Sequence, residues 1–195
     1  GDRIGVVPTM GSLHNGHLAL VRALDELATR KIVSVFVNPI QFNNAEDFRH
    51  YPRGLEADTA LLEQTGTVDV LYAPNEEEMY PPGFCTRVLV SGLDKVLCGA
   101  DRPGHFDGVA TVVTKLLLQT GAAIAAFGEK DYQQLGIIRR LVADLDLPVS
   151  ILPVPTVRDA DGPALSSRNR RLTAAPRAPA AAPPATLKTC LAALQ

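Results

Sequence analysis

Short unbroken apolar runs alternate along this chain with stretches whose apolar residues recur three and four positions apart. The first kind suits a strand buried on both faces, and the second suits a helix with one buried stripe. The runs predict strands at residues 4–8, 32–37, 69–72, 86–90, 123–127 and 149–154, and the stripes predict helices at 17–29, 55–65, 108–120 and 131–145. In the first helix the stripe is Leu18, Leu20, Val21, Leu24 and Leu27. This alternation implies an α/β fold, a Rossmann-like open parallel sheet with helices on both faces. After Thr173 the pattern gives way to an Ala/Pro-rich stretch at 174–185, which reads as a linker, and then to a short apolar helical tail at 186–194. A first domain over 1–173 and a separate segment over 174–195 are therefore expected.

Charge narrows the choice of partner. Lys plus Arg number 19 against 21 Asp plus Glu, a net charge of −2, so no global basic field would draw in nucleic acid. A polyanion must then be bound locally. No apolar run reaches the roughly 18–20 residues that cross a bilayer, and no charged-then-apolar leader opens the sequence, so a soluble cytoplasmic protein without a membrane partner is expected. Cys85, Cys98 and Cys190 are odd in number, widely spaced and outside any metal or redox pattern, which fits free thiols in a reducing compartment.

Ligands of an open parallel sheet bind beyond the carboxyl ends of its strands, and the polar loops of this chain fall there. The first is Pro8-Thr9-Met10-Gly11-Ser12-Leu13-His14-Asn15-Gly16-His17, with two histidines on the opening turn of the first helix. A helix N-terminus carries unpaired N–H groups and partial positive charge, and residues three apart share a face, so an anion can lie there with both imidazoles donating to it. Gly11 and Gly16 allow close approach of the backbone, which argues against the plainer reading of His14 as a surface cap and His17 as a core residue. The second strand ends in Asn38-Pro39-Ile40-Gln41-Phe42, and the fifth in Gly128-Glu129-Lys130-Asp131-Tyr132-Gln133-Gln134. Lys130 can reach phosphate oxygens, Asp131 can accept from ribose hydroxyls or help place a metal, and the amides of Gln41 and Gln134 suit a hydroxy-acid. Leu165-Ser166-Ser167-Arg168-Asn169 adds two hydroxyls and a forked cation, a clamp for outer phosphates. His105, in Arg102-Pro103-Gly104-His105-Phe106, could face the same cleft.

Taken together, these motifs resemble those of the pantoate–β-alanine ligases (pantothenate synthetases), in the nucleotidyltransferase-like superfamily whose His-x-Gly-His signature is shared with class I aminoacyl-tRNA synthetases. The likeness runs almost continuously from Val6 to Leu172 and joins Pro-Thr-Met-Gly-x-Leu-His-x-Gly-His, Asn-Pro-x-Gln-Phe, Tyr51-Pro52-Arg53, Arg-Pro-Gly-His-Phe, Phe-Gly-Glu-Lys-Asp-x-Gln-Gln and Ser-Ser-Arg-Asn in one order. The resemblance implies that ATP and pantoate form pantoyl adenylate and pyrophosphate, after which β-alanine displaces AMP to give pantothenate. It places ATP on Met10, Gly11, Ser12, Leu13, His14, Asn15, Gly16, His17, Gly128, Glu129, Lys130, Asp131, Val157, Leu165, Ser166, Ser167 and Arg168. It places pantoate on Gln41 and Gln134, β-alanine also on Gln41, and catalysis on His17, His14, Lys130 and Arg168, with His17 as proton donor. Mg²⁺, a homodimer and a smaller C-terminal domain, of which 174–195 would be the start, are implied as well.

The chemistry suits these side chains. A carboxylate attacking the α-phosphorus is already ionised at neutral pH, so it needs in-line placement and neutralised phosphate charge more than it needs a base. The second step needs β-alanine as a free amine, and the motifs name no clear base for that proton. Two other readings stay open on sequence alone. A related nucleotidyltransferase transferring AMP or CMP to a phosphorylated acceptor would call for a cationic acceptor pocket, where this chain offers the neutral Gln41 and Gln134. A nucleotide-sensing module without turnover would not need the intact set of His14, His17, Lys130 and Arg168.

Overall fold

The structure, a computed structural model, describes residues 1–171 and 174–193. Five strands, β1 (Ile4–Thr9), β2 (Arg30–Val35), β3 (Val70–Tyr72), β4 (Ile124–Gly128) and β5 (Ser150–Val154), form one sheet in the order β3-β2-β1-β4-β5, and each neighbouring pair is parallel. The α/β Rossmann-like expectation is thereby met. Pro153 sits in β5, an edge strand, where a missing N–H interrupts no ladder on the outer side.

Alternation along the strands divides the core in two. Val6, Ala125 and Phe127 face one layer, with residues of α6 (His105–Thr120) and α7 (Tyr132–Asp144), while Val7, Val33, Ile124 and Ala126 face the other, with α1 (Asn15–Arg22) and Leu62 of α3 (Leu55–Glu63). Helices on both faces explain why the central strands read as continuous apolar runs. Gly121, at φ 59°, closes α6 in the left-handed conformation that favours glycine at a helix end.

Several elements depart from the sequence pattern. No strand forms at 86–90: Val88 and Val90 pack on the α6 layer, and the Val88 N–H donates to Thr111 Oγ1 on α6 at 3.0 Å instead of joining the sheet. The helix expected over 17–29 ends at Arg22, because the amides of Leu24, Asp25 and Leu27 bond three residues back and wind the chain into tighter turns. Leu24 stays in the core, so its periodicity carries past the helix. Short helices α2 (Ala45–Arg49), α4 (Glu76–Met79) and α5 (Cys98–Asp101) are too brief to show a periodic stripe. The stretch read as a linker belongs to α8 (Ala174–Ala193), where the helix preference of alanine prevails over the proline content. The boundary at Thr173 and the end of the tail at Leu194 lie outside the described residues.

Candidate active site

Strand order reverses between β1 and β4, and a cleft opens beyond their carboxyl ends, as expected at a topological switch point. His14, His17, Gln41, Lys130, Gln134 and Arg168 all line it. Met10, Gly16, Gly128, Asp131, Val157, Leu165, Ser166 and Ser167 also contribute to its wall. Gly11, Ser12, Leu13, Asn15 and Glu129 do not; the first three pass behind it, with Ser12 and Leu13 buried.

The first corner is held by its own backbone. His14 is the N-cap of α1, its Nδ1 accepting from the Gly16 N–H at 3.1 Å, while the His14 N–H donates to Nδ1 of His17 at 3.2 Å. Both Nδ1 atoms are therefore acceptors, which puts the proton of each neutral ring on Nε2. The rings lie 4.1 Å apart between centroids and both line the cleft, so the two imidazoles border one space. Gly16 is obligatory for this arrangement: a Cβ there would sit 2.9 Å from the His14 ring.

The opposite corner is charged and open. A short turn at Glu129–Asp131 follows β4, and Lys130 Nζ lies 3.3 Å from Oδ1 of Asp131, with both side chains substantially exposed. Such a pair rearranges at little cost when an anion arrives. Arg168 lies in the short helical turn Ser167–Arg171, 2.9 Å from Asp47 Oδ2 on α2 and with its guanidinium carbon 5.5 Å from the centre of the Tyr51 ring. Ser167 Oγ donates to the Ser12 carbonyl at 2.9 Å, which ties this loop to the histidine corner.

Gln41 and Gln134 differ in support. Gln41 is buried on the short turn Pro39–Gln41, its Oε1 accepting from Asn38 Nδ2 at 2.9 Å and its Nε2 meeting Met10 Sδ at 3.2 Å. Asn38 in turn donates to the Gly108 carbonyl at 3.1 Å and accepts from the Tyr80 hydroxyl at 2.7 Å, so the amide beside the cleft is oriented from behind. Gly108 lets α6 press against this turn, since a Cβ would stand 2.5 Å from the Ile40 carbonyl oxygen. Gln134 is half-buried, whereas its neighbour Gln133 is used structurally, donating to the carbonyls of Leu93 and Val96.

His105 does face the cleft. Its Nδ1 lies 2.7 Å from the Gln41 carbonyl oxygen, and because a carbonyl only accepts, Nδ1 carries the proton and Nε2 the lone pair. Burial lowers its pKa below the ordinary histidine value; Arg102 and Arg168 lower it further, and the Gln41 carbonyl and Asp131 oppose the change. Burial pushes the Tyr51 phenol up, so it stays a neutral hydroxyl beside Arg168. Arg102, also in the wall, has its pKa lowered chiefly by burial and then by Arg168. The sequence motifs contain Asn38, Tyr51 and Arg102 without giving them work, and they pass over Asp47 and Asp58. A signal for Asp58 does exist in the chain, as a carboxylate on the same helix face as Leu62, four residues away.

Among the described residues no group of three or more His, Cys, Asp or Glu is arranged to hold a metal, and no helix is long and apolar enough to cross a membrane. Asp131 brings a carboxylate to the cleft wall, which fits the habit of Mg²⁺ of binding through one or two carboxylates and substrate phosphates.

Comparison with known proteins agrees with the motifs. The family model described as Pantoate-beta-alanine ligase matches residues 1–194. The pantothenate synthetase of Chelativorans sp. (strain BNC1) is 64% identical over 174 residues, covering 89% of this chain and 61% of that protein. That of Paracoccus denitrificans (strain Pd 1222) is 60% identical, covering 96% and 66%. A crystal structure of the enzyme from Thermus thermophilus superposes with a TM-score of 0.89 at 56% identity, over 92% of this chain and 65% of that one. A pantoate-beta-alanine ligase structure from Francisella tularensis, complexed with Beta-gamma ATP and Beta-alanine, gives a TM-score of 0.86 at 45% identity over 89% and 66%. The chain thus spans less than two thirds of the length of these relatives. By motif order, sheet topology and these likenesses together, the chain belongs to the pantoate–β-alanine ligase family.

Proposed function

We propose that this chain carries the ATP- and pantoate-binding part of an enzyme that condenses pantoate with β-alanine to pantothenate, through a pantoyl adenylate and with release of pyrophosphate and AMP. The observation that carries this reading is the convergence of His14, His17, Lys130 and Arg168 with the neutral amides of Gln41 and Gln134 on one cleft. The cations and imidazole N–H groups suit a triphosphate, and the amides suit the hydroxyls of a hydroxy-acid. The binding of ATP and β-alanine by the Francisella tularensis relative supports the same substrates here.

In the first step the pantoate carboxylate attacks the α-phosphorus, its P–O bond forms, and the bond to pyrophosphate breaks. Gln41 and Gln134 orient pantoate, and His14, Lys130 and Arg168 stabilise charge on the phosphates. His17, with its proton on Nε2, donates a hydrogen bond to the departing pyrophosphate, which leaves as an anion. Mg²⁺, when bound, would neutralise phosphate charge, and Asp131, in the cleft wall, is the residue that would hold it. In the second step β-alanine gives one ammonium proton to Nε2 of His105, the amine attacks the pantoyl carbonyl carbon, the bond to AMP breaks, and the second proton lost from the nitrogen leaves on the AMP phosphate. Arg102 offers a cation for the β-alanine carboxylate.

Residues 1–173 would form the nucleotide-binding domain and 174–195 the connection to, and start of, a smaller C-terminal domain. A cytoplasmic homodimer is part of the same proposal. The test is pantoate-dependent exchange of labelled pyrophosphate into ATP with β-alanine omitted. Exchange that requires pantoate is expected; exchange at the same rate without pantoate would reject the reading.

A further inference from the structure

We propose that Asp58 is the positioning residue of the phosphate cradle, acting from outside the cleft. It lies on α3, almost fully buried, and lines a separate depression with Met10, Gly11, Arg53 and Glu76. Its Oδ2 accepts from the Ser12 N–H at 2.8 Å and its Oδ1 from the Leu13 N–H at 2.7 Å. Short bonds from neighbouring amides to a charged acceptor are the stronger class of hydrogen bond.

The turn they hold is one the chain would not adopt unaided. Gly11 has φ 77° and Ser12 φ 52°, the latter in a region that side chains other than glycine seldom occupy. Ser12 Oγ is buried without a hydrogen-bond partner among the described residues, so its side chain contributes nothing polar to offset the strain. Successive amides in such a turn make a small anion-binding hollow. Here the carboxylate of Asp58 fills it, and a Cβ on Gly11 would stand 2.9 Å from Oδ2. The chain supplies its own anion to these amides, so an incoming phosphate is directed one step further along, to the N-terminus of α1 and the two imidazoles.

The same residue links both sides of the cleft. Ser12 donates its N–H to Asp58 while its carbonyl accepts from Ser167 Oγ. His14 caps α1 two residues later, and its N–H fixes Nδ1 of His17. Asp58 therefore sets the orientation of both imidazoles and the seat of the Ser166–Arg168 loop without touching substrate.

This inference rests on the proposed function for the identity of the phosphate ligand, and its test separates the two. Asp58→Asn is nearly isosteric but presents an NH₂ to one of the two amides; Asp58→Glu keeps the charge on a longer arm and provides a second folded variant. Two measurements are made on each: ¹⁵N NMR of the histidine rings without ligand, and the dissociation constant for ATP beside KM for pantoate. Both variants should move the His14 and His17 ring signals away from the Nε2–H form. They should also weaken ATP by about 10–100-fold, by analogy with the range for residues that orient a metal ion's ligands from behind, and leave KM for pantoate within about twofold. A purely structural role would lower the melting temperature yet leave ring signals and ATP affinity of the folded protein unchanged, and that result overturns the assignment. If the unmutated chain binds no ATP, the proposed function fails while the ring signals still decide for or against Asp58.

Discussion

The two corners that flank the switch point, both set against phosphate in the proposed function, are built in opposite ways. At the β1–α1 corner the polar groups are fastened: Nδ1 of each histidine accepts from backbone, and Ser12 is clamped between Asp58 and Ser167. At the β4–α7 corner Lys130 pairs with its neighbour Asp131, in solvent. Preorganised donors lose little freedom when charge develops beside them, whereas a flexible ammonium supplies long-range attraction and follows the ligand. On the proposed function, the fastened corner sets geometry and the open one supplies charge.

If that division holds, loss of the open cation should cost most. Lys130→Ala is expected to lower pantoate-dependent pyrophosphate exchange by about 10³-fold, the upper range for removing one group that stabilises transition-state charge. Little change in the melting temperature should accompany it, since the side chain is exposed. His105→Gln should separate the two half-reactions. Exchange, which precedes amine attack, should stay within a few-fold, while pantothenate formation falls by about 10²-fold, as for loss of a general base. Equal loss in both assays would assign His105 to the support of Gln41 instead.

How much of the site is legible in the sequence differs between the same corners. Lys130 and the histidines announce themselves, because they stand in polar loops beyond the carboxyl ends of strands, where an open parallel sheet binds its ligands. Tautomers cannot be read there, since they depend on which ring nitrogen meets a backbone N–H. Asp58 escapes notice for a related reason: it lies 46 residues from Ser12 in the chain, and only the fold brings them together. The segment at 86–90 misleads because its alternation suits packing on α6 as well as pairing in a sheet.

Smaller effects test the comparison further. Arg168→Lys should weaken ATP by about tenfold, because an ammonium cannot span the ring of Tyr51 and the Asp47 carboxylate as a guanidinium does. The mildest effect concerns pH and stability. The His105 pKa in the folded chain lies below the ordinary value of 6.5, so the unfolded chain binds the extra proton more readily. Stability should therefore be steady above about pH 6.5 and decline as pH falls below it. Urea midpoints taken on either side of that pH should show this decline, and His105→Gln should lessen it.

The most direct test of the whole account is a crystal structure with a non-hydrolysable ATP analogue and pantoate. The triphosphate should lie between the corners, with Nε2 of His17 and Nζ of Lys130 each about 2.7–3.2 Å from its oxygens, and the pantoate hydroxyls should meet Gln41 and Gln134. A nucleotide seated elsewhere, or touching one corner and not the other, would contradict it.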